Sequence, residues 1–238
     1  MPHGCYAQFL NKEITMSDHM WRAVDDYFTQ TLVKPDAALE AVLARNAAAG
    51  LPSIDVAPNQ GKLLYLLARM MNASRILEIG TLGGYSTLWL ARALPESGKI
   101  VTLEFSPQHA QVARENFAEA GVVDKVELLV GPALESLPRL QGPFDMIFID
   151  ADKRNNPHYL RWALKLARVG SVIIGDNVVR SGRIVDSQST DENVQGLRHY
   201  LRDVGESPHL TATALQTVGS KGWDGLQLAI VESLPDQI

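Results

Sequence analysis

Cysteine is almost missing from this chain. Cys5 stands alone among 238 residues, so no intrachain disulfide can form and no thiolate-rich zinc site can be built. That fits a reducing compartment, and the cytoplasm is the expected location. Positive charge is not in excess either, since 22 Lys and Arg face 27 Asp and Glu. A chain without that excess is poorly equipped to compete for nucleic acid phosphates, which favours a small-molecule partner over DNA or RNA. Long apolar runs are also lacking. The most apolar stretch, Leu63 to Met71, is broken by Arg69 and falls far short of the ~20 residues that cross a bilayer. No membrane partner and no secretory leader are therefore expected. Residues 1–15 show no clear periodicity, and no function is assigned to them.

What the chain does have is apolar residue, 46% of the total. At this length it can bury roughly 70 to 75% of its unfolded surface around one core, so a single domain over residues 1–238 is expected. From Arg75 onward, short β-branched runs alternate with helical patterns. The runs are RILEIG from Arg75, KIVTLE from Lys99, VELLV from Val126, FDMIFID from Phe144 and SVIIGD from Ser171. Such alternation marks parallel strands covered on both faces. Two more runs, LTATALQTV and GLQLAIV, are joined by Gly219 to Asp224 and predict a hairpin at one sheet edge. The expected fold is α/β: a Rossmann-like, doubly wound sheet of seven strands, mostly parallel, with a C-terminal antiparallel hairpin and flanking helices.

Helical patterns over Asp18 to Leu32, Asp36 to Ala48 and Asn59 to Met71 predict a helical cap over residues 1–58, leaving 59–238 as the core. Ser106-Pro107 and Asn156-Pro157 each set a capping side chain before a proline at the first helical position. The segment after Ser106 carries Ala110, Ala113, Phe117 and Ala120 on one face and stops at Gly121.

The first strand runs into Thr81-Leu82-Gly83-Gly84-Tyr85-Ser86. A turn this rich in glycine lets a ligand approach the backbone and the amides that open the next helix. It is not the dinucleotide pattern G-x-G-x-x-G, because Leu82 stands at the second glycine. That weighs against a nicotinamide oxidoreductase. Glu78, Gly80 and Gly84 instead form E-x-G-x-x-x-G, which resembles the first motif of class I methyltransferases. A carboxylate at Glu78 suits a cationic amino-acid ligand better than a pyrophosphate. Glu104 ends the second strand, where an acidic side chain commonly accepts hydrogen bonds from ribose hydroxyls. Plainer readings stand beside these: Glu104 as a cap for the Ser106 helix, and Gly80 as a tight turn.

The fourth strand delivers Asp150-Ala151-Asp152-Lys153 and the fifth delivers Asp176-Asn177. In a doubly wound sheet these tips are neighbours at the carboxyl edge, where ligands bind. Three oxygen donors, Asp150, Asp176 and Asn177, can converge on one ion, and such a set suits Mg²⁺. On spacing alone, acids capping helices or meeting solvent explain the pattern equally well. Lys153 on its own reads as a solvated charge beside Asp152.

EIGTLGGYS, FIDADK and GDN, in this order and spacing, resemble the cation-dependent O-methyltransferases, the family of the caffeoyl-CoA and catechol enzymes, over roughly Ile54 to Val231. The resemblance implies the methyltransferase form of the sheet, with S-adenosyl-L-methionine as cofactor and Mg²⁺, or Mn²⁺ or Ca²⁺ in its place, as metal. It implies a cofactor site lined by Glu78, Gly80, Tyr85, Ser86, Glu104, Ala133 and Asp150, a metal held by Asp150, Asp176 and Asn177, and Lys153 as catalytic base with Asp150. The family often has Gly-Asp-Ala where this chain has Gly131-Pro132-Ala133, a departure that bears on the adenine contact.

The implied reaction is methylation of one hydroxyl of a small aromatic diphenol, catechol-like or caffeoyl-like, by a homodimer. The mammalian catechol enzyme has an aromatic residue at the position of Asp152, so catechol itself is not assumed. Rival readings are an N-methyltransferase, whose Asn-Pro-Pro-Tyr-like segment is absent after FIDADK, and a binding module without catalysis, which would need no metal. The polar loop from Val178 to Asn193 is a candidate substrate rim through Arg180 or Arg183. Trp223 is a candidate stacking residue or a core plug.

Overall fold

The computed structural model describes residues 18–34 and 36–235; residues 1–15 lie outside them. A helix over 18–28, α1, runs into a π-helical turn at Thr29–Val33. Then come α2 (Ala37–Ala48), α3 (Pro58–Met70), β1 (Arg75–Ile79), α4 (Tyr85–Ala93), β2 (Lys99–Glu104), α5 (Pro107–Glu119) and β3 (Val126–Val130). The second half is a short α6 (Ala133–Ser136), β4 (Phe144–Ile149), α7 (Asn156–Leu166), β5 (Ala167–Asp176), α8 (Glu192–Glu206), β6 (Leu210–Gly219) and β7 (Gly222–Val231). The seven strands form one sheet in the order β3-β2-β1-β4-β5-β7-β6. Pairings from β3 through β5 are parallel, whereas β7 is antiparallel to both β5 and β6. Among the described residues no helix is long and apolar enough to cross a membrane.

Two cores follow from the pleat, because successive strand residues point to opposite faces. On one side Ile76, Met146 and Phe148 pack with Leu64 of α3, Leu88 of α4 and Phe117 of α5. On the other, Leu77, Ile79, Ile147 and Ile149 pack with Tyr159 of α7 and with Leu197 and Tyr200 of α8. All six residues of β4 are buried, apolar except for Asp145, which pairs with Arg168, as expected of a strand covered on both faces. Each fully buried Leu or Ile here stabilises the fold by ~1.5 to 3 kcal/mol.

Several boundaries differ from the sequence expectation for local reasons. β5 starts at Ala167 rather than Ser171, but its pairing with β4 jumps from Phe144↔Ala167 to Met146↔Val172. The bulge between them is closed by Ser171, whose Oγ accepts from Arg168 N at 2.9 Å and donates to Phe144 O at 2.7 Å. Ser106 caps α5 as expected, accepting from His109 N at 3.4 Å. Asn156 does not cap α7. A 3-10 turn at Lys153–Asn155 runs directly into that helix, so Asn156 is already helical, and its buried side chain caps nothing. The hairpin turn is two residues, Ser220 and Lys221, so Trp223 and Asp224 belong to β7 and not to a loop. The expected polar rim also begins with core, since Val178 and Val179 are buried.

Candidate active site

The carboxyl ends of β1, β2, β4 and β5 open onto a cavity of about 690 Å³. Its floor exists because the chain turns without side-chain bulk at Gly80. There φ is +103°, and an added Cβ would lie 2.1 Å from the carbonyl oxygen of Asp150. Gly80 is therefore demanded by the next strand pressing against it, with Asp150 N donating to Ile79 O at 2.8 Å. Gly84 opens α4 in the left-handed conformation, which glycine adopts without penalty. Tyr85 and Ser86 in the first turn of that helix line the cavity, as do Gly80, Glu104, Ala133 and Asp150.

Glu104 is 7% exposed and does two things at once. Its Oε2 accepts from Thr81 N at 3.1 Å and Leu82 N at 2.7 Å, fixing the glycine-rich turn, while Oε1 accepts from Ser106 N at 2.9 Å. Glu78, expected at the cavity wall, is not part of it. It is fully buried behind the wall and accepts from Ser86 Oγ at 2.6 Å, Thr87 Oγ1 at 2.5 Å and Thr102 Oγ1 at 2.6 Å. Burial raises its pKa to about 7, against the pull of those three hydroxyls. The glutamate thus braces Ser86 rather than facing the space that Ser86 lines.

At the other end, Lys153 Nζ donates to Asp150 Oδ1 at 2.9 Å. Lys153 is 5% exposed, so it is not the solvated charge that spacing alone allowed. Asp152 turns away from that pair and accepts from Tyr159 OH at 2.6 Å and Asn155 Nδ2 at 2.6 Å. The β4–β5 pairing Ile149↔Gly175 makes Asp150 and Asp176 neighbours. Asp176 is pushed up to about 7, first by burial and then by the negative charge of Asp150, with Lys153 and the backbone N–H of Asn177 acting in opposition.

Asp176 lines a second cavity of about 400 Å³ rather than the larger one. The two spaces adjoin, because Asp55, Asn177 and Arg180 line both. Among the described residues no group of three or more His, Cys, Asp or Glu is placed to hold a metal ion. A cation here would rely on two carboxylates and one amide oxygen, a sparse set that suits an ion keeping its own waters.

Of the loop candidates, Arg183 is engaged with Asp191 at 2.9 Å and lines neither cavity. Trp223 is 39% exposed, donates from Nε1 to Gln216 Oε1 at 2.9 Å, and faces Gly182. It is neither core plug nor cavity wall. Sequence reading missed Asp55, Gln60, Thr102 and Asp224. Gln60 hydrogen-bonds Asp176, and Thr102 joins Glu78 to Thr81 at 2.6 Å. Gln60 and Thr102 lie inside the helical and strand runs read above and Asp55 and Asp224 outside any chemical motif, so only the folded chain reveals what the four touch.

A parallel sheet ending in a reversed β7-β6 hairpin, with its cavity at the tips of β1, β2 and β4, is the methyltransferase fold. Residues 31–230 match the O-methyltransferase family, and the chain belongs to that family. It is 56% identical over 209 residues to a catechol O-methyltransferase of Mycobacterium tuberculosis, covering 87% of this chain and 94% of that one. A catechol O-methyltransferase of Niastella koreensis is 48% identical over 221 residues, covering 91% and 100%. The crystal structure of the O-methyltransferase from Bacillus cereus in complex with SAH superposes with a TM-score of 0.88 at 54% identity, covering 90% and 99%.

Proposed function

We propose that this protein transfers the methyl group of S-adenosyl-L-methionine to one hydroxyl of a small aromatic diphenol, in a reaction assisted by a divalent cation. The observation that carries this reading is the buried Lys153 paired with the half-buried Asp150 beside Asp176, where two cavities meet. The larger space suits the cofactor and the smaller suits the acceptor. When bound, the sulfonium compound supplies an electrophilic methyl group, and the cation favours the anionic form of the acceptor oxygens.

The chain's own groups do the rest. Gly80, Tyr85, Ser86, Glu104 and Ala133 hold the cofactor, Glu104 through its ribose and Ser86 in a position fixed by Glu78. Asp150, Asp176 and Asn177 provide the oxygen ligands of the cation. Asp176 is raised first by its burial and then by the charge of the half-buried Asp150 beside it, and a cation would relieve both. Lys153 Nζ is the amine placed to take the acceptor's proton. Holding donor and acceptor in contact contributes several of the ~7 to 11 kcal/mol available from orientation.

Exposed apolar side chains on α1, namely Met20, Val24, Tyr27 and Phe28, support a homodimer. The lone cysteine supports a cytoplasmic location. The deciding experiment is transfer of a labelled methyl group to catechol, caffeate and an acyl-CoA phenol after EDTA treatment, with and without restored Mg²⁺. Label should reach at least one acceptor only when metal is returned. Full activity in EDTA would remove the cation from the mechanism, and no label on any diphenol would reject the reading as a whole.

A further inference from the structure

The segment after β5 is strained. Asn177, Arg180 and Ser181 have φ of 54°, 55° and 53°, left-handed values that Asn tolerates and that Arg and Ser rarely adopt. β7 holds them there. Asp224 Oδ1 accepts from Val179 N and Arg180 N, both at 3.0 Å. Val178 N donates to Gly225 O at 3.0 Å and Ser181 N to Trp223 O at 3.2 Å.

What the turn delivers is Arg180, which lines both cavities beside Asn177. Its Nε is buried without a partner. Among the described residues no ion pair includes Arg180, whereas Arg168 and Arg183 pair with Asp145 at 2.7 Å and Asp191 at 2.9 Å. The acids that line the smaller cavity with it are bonded elsewhere, Asp176 accepting from Asn177 N at 2.8 Å. Asp224 holds the turn itself, Asp25 accepts from Ser220 N at 2.7 Å and Asn59 Nδ2 at 3.1 Å, and Asp55 accepts from Asn46 Nδ2 at 2.9 Å.

A guanidinium whose Nε is shut away from water without a partner is costly to maintain. Its planar fork matches a carboxylate. We infer that Arg180 binds an anionic substituent of the acceptor, so the preferred substrates are diphenols bearing a carboxylate on the ring or on a short side chain. The inference rests on the O-methyltransferase reading above and narrows its substrate class. A diphenol bearing an amine, drawn instead to Asp25 or Asp55, is the opposing case.

The test compares 3,4-dihydroxybenzoate, catechol and 3,4-dihydroxyphenethylamine with the unaltered protein, Arg180→Met and Arg180→Lys. The unaltered protein should favour the benzoate over catechol in kcat/KM by roughly 10-fold to 100-fold, the range expected of a charge-assisted hydrogen bond. Arg180→Met should collapse that ratio to near unity. Arg180→Lys, which keeps the charge and loses the fork, should retain part of it. An unchanged ratio in Arg180→Met, no preference in the unaltered protein, or preference for the amine overturns the inference. Binding is read in parallel as the rise in thermal midpoint on adding each acceptor with SAH. The benzoate should stabilise the unaltered protein more than Arg180→Met, and equal shifts count against Arg180. If none of the three acceptors is methylated, the methyltransferase reading fails, and the binding comparison still decides the role of Arg180.

Discussion

Lysine rarely sits inside a protein unless paired, and Lys153 is 5% exposed with Asp150 as its partner at 2.9 Å. Replacing it with alanine should lower kcat by ~10² to 10⁴ if its amine carries the proton. An unchanged rate in the labelled-methyl assay would make it a structural ion pair. Glu78 gives a different signature. Its folded pKa of about 7 lies above the ordinary 4.5, so between those values the folded chain holds a proton that the unfolded chain releases. Stability then falls as pH rises from about 4.5 to 7, and the cost is fully present above that. Glu78→Gln loses acceptor strength at every pH but removes the charge. Its stability relative to the unaltered protein should therefore improve from pH 4.5 to 8, by up to about 3 kcal/mol, read by urea unfolding at each pH. A flat difference would mean that the carboxylate is ionised in the folded state throughout.

At this scale the motifs made the placement of Asp150, Lys153 and Asp176 at the strand ends legible, because strand ends are fixed by local pattern. They could not tell which way Glu78 faces. That depends on hydroxyls from two other elements, Ser86 and Thr87 of α4 and Thr102 of β2.

Elements position these groups through close backbone packing. α8 presses on the turn that carries Lys153, since a Cβ added at Gly196 would lie 2.5 Å from both the Lys153 carbonyl oxygen and Arg154 Cα. Those are backbone atoms and cannot rotate aside. Gly196→Ala should destabilise the fold by ~1 to 3 kcal/mol and lower kcat by shifting the lysine. Urea midpoints and initial rates measure the two effects separately, and a variant as active and stable as the unaltered protein would show that this contact is soft. The strand runs and the Ser106 cap could be read directly, because each is written in consecutive residues. The start of α7 and the role of Asp224 could not. A 3-10 turn displaced the first by one position, and the second depends on amides 44 and 45 residues away.

For the whole molecule, cation binding to the folded chain alone should raise its thermal midpoint. Mg²⁺ at about a hundred times its Kd adds ~2.7 kcal/mol, or ~5 to 10 °C for a chain of this size. EDTA should reverse the shift, and a midpoint indifferent to metal would argue against a cation held by Asp150 and Asp176. Light scattering should give twice the chain mass of 26.1 kDa if the apolar face of α1 is covered by a second copy; a single chain mass would leave that face unexplained.

The place of β1 beside β4, the central strand of the sheet, bears on how activity returns after denaturation. Its pairing with β4 joins Ile76 to Met146, and that seam separates the part of the chain that carries the glycine-rich turn and Glu104 from the part that carries Lys153. Contacts so distant along the chain form slowly, because loop closure must be met before pairing rewards it. Regain of turnover should therefore trail the regain of helical signal and coincide with the closing of this seam.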